Sequence, residues 1–171
     1  MTREKLVTTS SEKEISLTKS GLTEAESILR RHRLAERLAV DVLKVDLKRA
    51  HEEAHRLEHA FSPYLESRVV DILGHPTTCP FGHPIPGSNY VPNKSSVSLN
   101  KAKVSHDYLV DMLPEDDMEL LGYFVDNDFL PGARIQITDL SNARGVITLK
   151  LGNKELVFSM GISNLIRVIP G

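Results

Sequence analysis

The chain has 171 residues, 40% of them hydrophobic and 26% charged, with a net charge of −2. That is the balance of one large or two small globular domains and excludes a mainly disordered chain. No apolar run approaches the roughly 20 residues a membrane helix needs, and no apolar stretch follows residues 1–5 to make a signal peptide. A single cysteine, Cys79, cannot form an internal disulfide, so a cytoplasmic protein is expected.

Residues 1–50 carry 11 basic and 8 acidic side chains and residues 51–171 carry 10 and 15, which is +3 against −5. The asymmetry is mild. It admits phosphate contacts near the start of the chain without the global basic charge that announces nucleic-acid binding.

In chain order, residues 5–9 and 14–18 suit two short strands, with a turn at Ser10, Ser11, Glu12 and Lys13. A lone hairpin is marginal in water, so this one is expected to pack on other elements. Thr23 and Glu26 form a capping-box pattern, and Ile28, Leu29, Leu34, Leu38 and Val42 keep a helical period, which predicts a helix over residues 24–43. Asp46 is the expected N-cap of a second helix reaching residue 60. Ser62 and Pro63 start a third, with Leu65, Val69, Ile72 and Leu73 as its apolar face and Gly74 and Pro76 as its stop.

Residues 75–96 hold five prolines and read as an extended, partly stiff linker. Beyond it the texture becomes β. Strands are expected over residues 104–112, 134–140, 145–151, 156–159 and 165–169, with a helix over 119–127 and a hairpin turn at Gly152 and Asn153. Short strands with one helical insert suggest a small barrel. The expected fold class is α+β.

The chemistry concentrates in the helices. His32 and Glu36 are four residues apart and share a helix face. His51, His55, Glu58 and His59 fall at i, i+4, i+7 and i+8 on the next helix, within roughly 100° of arc. Mixed nitrogen and oxygen donors suit borderline divalent ions such as Mn²⁺, Fe²⁺, Co²⁺ and Zn²⁺. The plain alternative is a solvated face with i,i+4 ion pairs. A cluster of six such residues on two stripes favours metal.

His51, Glu52, Glu53, Ala54 and His55 also match H-E-x-x-H, the zinc-hydrolase signature, whose Glu must act on a metal-bound water. Lys48, Arg49 and Arg56 make that neighbourhood charged, whereas a catalytic helix should be largely buried. His75, His83 and His106 read as structural or surface residues. Cys79 and His83 form one C-x-x-x-H pair, too little for a zinc site. Arg30, Arg31, Arg33 and Arg37 form a basic strip, read as a solvated face with phosphate contact as the alternative.

Arg31 to Leu38 resembles the helix joining the DNA-binding and dimerisation regions of the diphtheria-toxin-repressor (DtxR-like) family of iron- or manganese-dependent transcriptional repressors. His51 to His59 resembles its metal-binding dimerisation helix, and Pro80 to Gly87 its proline-rich segment. Residues 97–171, most typically Leu130 to Ile135, resemble its C-terminal SH3-like domain of the FeoA type. The resemblance covers essentially the whole chain.

That resemblance implies two metal sites. One uses His32, Glu36 and His51, completed by Glu115 from the C-terminal domain. A second polar ligand is expected three positions on, where this chain has Met118, with Asp116 or Asp117 as nearby substitutes. The other site uses His55, Glu58 and His59. Family members usually carry Cys or Glu where His55 stands, a difference that accompanies iron or manganese preference, so a His leaves the metal open.

It also implies a division into a wing-like hairpin (1–20), a helical dimerisation and metal-binding domain (21–74), a Pro-rich linker (75–96) and an SH3-like domain (97–171). Only the wing of the family's winged helix-turn-helix is matched, so the expectation is an N-terminally truncated regulator. Metal sensing, with Mn²⁺ or Fe²⁺ as cofactor and Co²⁺ or Zn²⁺ as surrogates, and homodimerisation are retained. DNA-binding residues are not identified, and operator DNA is a partner only if a complete winged-helix domain is supplied. No membrane partner and no catalysis are expected. The alternatives are a metal-binding module that modulates a full-length repressor and, further off, the zinc hydrolase.

Overall fold

The computed structural model describes residues 6–9 and 13–171. The expected turn lies outside these residues except for Lys13. Strands β1 (Val7–Thr9) and β2 (Ile15–Leu17) pair antiparallel, Val7 opposite Leu17.

Helix α1 runs Lys19–Arg37, five residues earlier than expected. The cap is Thr18, whose Oγ1 accepts from the Gly21 amide at 3.1 Å. Thr23 is inside the helix and its hydroxyl donates back to the Lys19 carbonyl at 3.1 Å, a common outlet for a helical threonine. The early start depends on Gly21: a Cβ there would lie 1.9 Å from the Leu6 carbonyl oxygen. Only glycine lets the first turn press against the hairpin.

The helix ends in a π-helical turn, Leu38–Val42. Asp46 then caps α2 (Leu47–Leu57), accepting from the Lys48 amide at 2.9 Å, and a 3₁₀ turn, Glu58–Ala60, follows. Ser62 caps α3 (Pro63–Ile72), with proline in the first turn where its missing N–H costs nothing. Ala35, Ala39, Ala50 and Ala54 are fully buried, and such small side chains let helices approach closely. Leu34, Ala35, Ala54, Phe61, Val69 and Ile85 form the helical core.

The segment 75–96 is not a free linker. Three arginines of the expected solvated strip hold it along α1: Arg30 donates to the Pro86 carbonyl (2.7 Å), Arg33 to that of Pro84 (2.5 Å) and Arg37 to that of Thr78 (2.7 Å). A proline-rich stretch has few N–H groups with which to satisfy its own carbonyls, so outside donors must. Thr78 and Pro84 form an isolated bridge. Phe81 and Cys79 enter the C-terminal core while Ile85 enters the helical one. Gly82, at φ +92°, closes the turn where a Cβ would lie 2.0 Å from the Asp111 carbonyl oxygen.

The C-terminal unit is a six-stranded antiparallel sheet in the order β3-β8-β4-β5-β6-β7. Its strands are β3 (Val97–Ser98), β4 (Asp107–Met112), β5 (Arg134–Ser141), β6 (Val146–Leu151), β7 (Lys154–Ser159) and β8 (Arg167–Pro170). Helix α4 (Met118–Asp126) follows β4. Helix α5 (Met160–Leu165), which was not expected, pushes the last strand's start to Arg167. Six residues are too few to show a helical period, but Ser159 caps them, accepting from the Ile162 amide at 3.3 Å. β3 and β7 are the sheet's edges, so the expected barrel is partly open, and α5 packs on both sides of the gap. A Lys48–Asp126 ion pair joins α2 to α4. Among the described residues no helix is long and apolar enough to cross a membrane.

Candidate metal centre

The two helices bring their imidazoles together. His32, His51 and His55 have ring centroids 4.5–4.8 Å apart, and one nitrogen of each lies within 4.8 Å of the others. The tightest group is His32 Nε2, Glu36 Oε1 and His51 Nδ1. Their separations are 3.2 Å from His32 to Glu36, 3.2 Å from His32 to His51 and 3.0 Å from His51 to Glu36. Donors about 2.1 Å from one ion at right angles lie about 3.0 Å apart, so this trio fits one face of a metal's coordination sphere. The second Glu36 oxygen, Oε2, is buried without a hydrogen-bond partner. A fully buried carboxylate with an orphaned oxygen is costly unless a cation meets it.

Without metal the group is held by protons. Burial works against charge on both members, yet hydrogen bonds and the mutual charge outweigh it. Glu36, accepting from His32 and His51, is pulled down to about 2. His32, between Glu36 and Glu58, is raised above its ordinary value. Each ring nitrogen of His32 faces a carboxylate, Nε2 lying 3.2 Å from Glu36 Oε1 and Nδ1 2.7 Å from Glu58 Oε2.

Glu58 is buried, and its other oxygen, Oε1, faces His55 Nδ1 at 3.7 Å and His59 Nε2 at 3.4 Å. Those imidazoles are 60% and 76% exposed. The second expected trio is thus gathered around Glu58, but at an open surface.

Glu115, just beyond β4, lies with Asp116 on a cavity of about 520 Å³ that His32, His51, His55 and Glu58 also line. Its Oε1 accepts from Arg33 at 3.3 Å, and its Oε2 lies 3.7 Å from Cys79 Sγ. Met118 is 43% exposed, and Asp117 is committed as the N-cap of α4, accepting from Glu119 and Leu120 at 3.0 Å each. Of the possible extra ligands, only Asp116 faces the cavity.

Sequence reasoning set aside three residues that the structure places here. Arg33 neutralises Glu115. His83 donates through Nε2 to the Leu113 carbonyl at 2.6 Å and lies 3.8 Å from Glu115. Cys79 is 1% exposed, and one oxygen each of Glu36 and Glu115 lies within 4.8 Å of its sulphur and of the other. The C-x-x-x-H spacing was the available signal; the cross-domain contact with Glu115 was not visible in it. His75 and His106 stay at the surface, beside Asp71 and bonded to the Val104 carbonyl.

The H-E-x-x-H pattern does not assemble. Glu52 pairs with Arg56 at the exposed surface, away from the His51–His55 face. It cannot act on water at a metal held there.

Residues 18–87 match the family model for the iron dependent repressor, metal binding and dimerisation domain, and residues 97–170 match that for the FeoA domain. The iron-dependent repressor IdeR of Mycobacterium leprae (strain TN) is 31% identical over 98% of this chain and 78% of that protein. The chain belongs to the diphtheria toxin repressor family. The diphtheria toxin repressor of Corynebacterium diphtheriae is 30% identical over the same shares of the two chains. Among solved structures, a manganese-dependent transcriptional repressor in complex with manganese superposes with a TM-score of 0.83 at 28% identity, over 97% of this chain and 78% of that one. The repressor ScaR with bound Zn²⁺ gives 0.81 at 28% identity, over 98% and 84%. Members of this family are transcriptional repressors rather than enzymes.

Proposed function

We propose that this chain is a metal-dependent transcriptional regulator whose His32, Glu36 and His51 bind Fe²⁺ or Mn²⁺, with Glu115 completing the site and His55, Glu58 and His59 forming a second one. The observation that carries this reading is the convergence of His32 Nε2, Glu36 Oε1 and His51 Nδ1 to within 3.2 Å from two helices. A bound divalent ion supplies the positive charge that an orphaned Glu36 oxygen lacks. The chain's own residues do the rest. Glu58 orients His32, α1 and α2 set the spacing, and Glu115 brings the C-terminal unit to the same cavity. Metal favours that closed arrangement by binding it better than any arrangement with the units apart.

The chain acts as a homodimer in this reading. Tyr64, Leu65 and Ile72 of α3 are 77%, 41% and 62% exposed, an apolar face suited to a second copy. The β1–β2 hairpin ahead of α1 is suited to phosphate contact, which orients a protein on a duplex without reading its bases. The cytoplasm is the expected place.

Sedimentation with and without Mn²⁺, alongside a mobility-shift assay on an operator-like duplex, tests this. A dimer that binds Mn²⁺, with any shift of the duplex stronger in Mn²⁺ than without it, is expected. A monomer that binds no Mn²⁺ overturns the reading. Co-purification with a full-length repressor in place of homodimers would favour the modulating-module alternative.

A further inference from the structure

We propose that Glu36, Cys79 and Glu115 hold a divalent ion through a thiolate, making a buried position that prefers borderline and soft ions such as Co²⁺ and Zn²⁺ to Mn²⁺. The inference rests on the metal-sensing reading, because Glu36 and Glu115 are ligands in both.

Three observations converge. First, two carboxylates and a thiol lie within 4.8 Å of one another, all shielded from water. Second, the Glu36 oxygen left over from the histidine cluster is buried and unpartnered. Third, the spacing suits sulphur: a thiolate about 2.3 Å and an oxygen about 2.1 Å from one ion lie about 3.6 Å apart at the tetrahedral angle, and Cys79 Sγ to Glu115 Oε2 is 3.7 Å. The histidine trio, at 3.0–3.2 Å, matches right angles instead. The chain thus offers two coordination geometries side by side, with Glu36 and Glu115 common to both. A thiolate selects soft or borderline ions, while Mn²⁺ prefers oxygen and nitrogen.

The plain alternative is that Cys79 is a small core residue, since it packs among the C-terminal apolar side chains. In the metal-free form its thiol donates to Glu115 Oε2 at 3.7 Å, which accounts for the sulphur facing that carboxylate; the metal would take the place of the S–H proton. Burial and those negative neighbours push the thiol's pKa up, so the metal-free form is the neutral thiol. When the ion binds, the S–H proton passes to solvent and a metal–sulphur bond forms. His83 is not a ligand through Nε2, which is committed to the Leu113 carbonyl.

Anaerobic Co²⁺ titration of the whole chain, followed by absorbance, tests this. Visible ligand-field bands report cobalt at any site. An intense near-ultraviolet sulphur-to-cobalt charge-transfer band reports a thiolate, and Cys79 is the single cysteine. Both sets of bands are expected in the wild type. Cys79→Ser should lose the charge-transfer band and at least about tenfold in Co²⁺ affinity while keeping visible bands from the histidines. Visible bands without charge transfer in the wild type would overturn the thiolate position and leave the regulator reading intact. Absence of both would overturn the two together. The wild-type spectrum decides even if the variant does not fold.

Discussion

Glu58 Oε2 accepts from His32 Nδ1 at 2.7 Å, while Glu58 Oε1 faces His55 and His59. One buried carboxylate therefore orients the principal imidazole of the first cluster and anchors the second. Holding Nδ1 in this way fixes the ring and directs Nε2 at Glu36, the usual device by which an outer carboxylate sharpens a histidine ligand.

Glu58→Gln should damage both clusters at once. Calorimetric Mn²⁺ titration should show the first site weakened by about 10- to 100-fold and the second lost. His59→Ala should remove only the second. Equal, single-site losses in both variants would mean that Glu58 does not link them.

The metal-free chain should be acid-sensitive through Glu36. Its folded pKa of about 2 lies below the ordinary 4.5, so its contribution to stability is present above 4.5 and is lost as pH falls towards 2. His32 has the opposite sign: its raised pKa means a contribution present below 6.5 and lost as pH rises through the folded value. Glu36→Gln should flatten the acid limb of urea midpoints measured against pH. Mn²⁺ affinity of the wild type should rise with pH, because the raised pKa of His32 makes protons compete with the metal for its ring.

Arg33 bonds the Pro84 carbonyl and Glu115, with only 11% of its side chain exposed. Arg33→Ala leaves Glu115 uncompensated beside Glu36 and should destabilise the metal-free chain by about 3–5 kcal/mol. Saturating Co²⁺ should recover part of that loss, since the ion replaces the missing charge. A urea melt with and without Co²⁺ measures both quantities.

Phe81 sits in the 75–96 segment yet is fully buried in the C-terminal core. Phe81→Ala should cost about 3–5 kcal/mol, whereas Val91→Ala, at an 83% exposed position of the same segment, should stay within about 0.5 kcal/mol. Equal, small effects would return the segment to the status of a linker.

Much of this was legible locally. Asp46 and Ser62 cap helices where the sequence places them, and the i,i+4 spacing of His32 with Glu36 and of His51 with His55 puts each pair on one face. What failed depended on contacts distant in sequence. Thr23 with Glu26 is a sound capping pattern, but Gly21 against the Leu6 carbonyl lets the helix begin earlier. The arginine strip looked solvated because its partners, the carbonyls of Thr78, Pro84 and Pro86, lie more than forty residues away. Cys79 meets Glu115 for the same reason: the strap along α1 delivers it there.

Equilibrium dialysis against Mn²⁺ of the wild type, His32→Ala and His59→Ala decides whether the two helices hold two separate ions. Two Mn²⁺ per wild-type chain and one in each variant are expected, with the weaker site remaining in His32→Ala because the surviving cluster is open to solvent. No Mn²⁺ retained by the wild type, or the same retention in all three proteins, would contradict it.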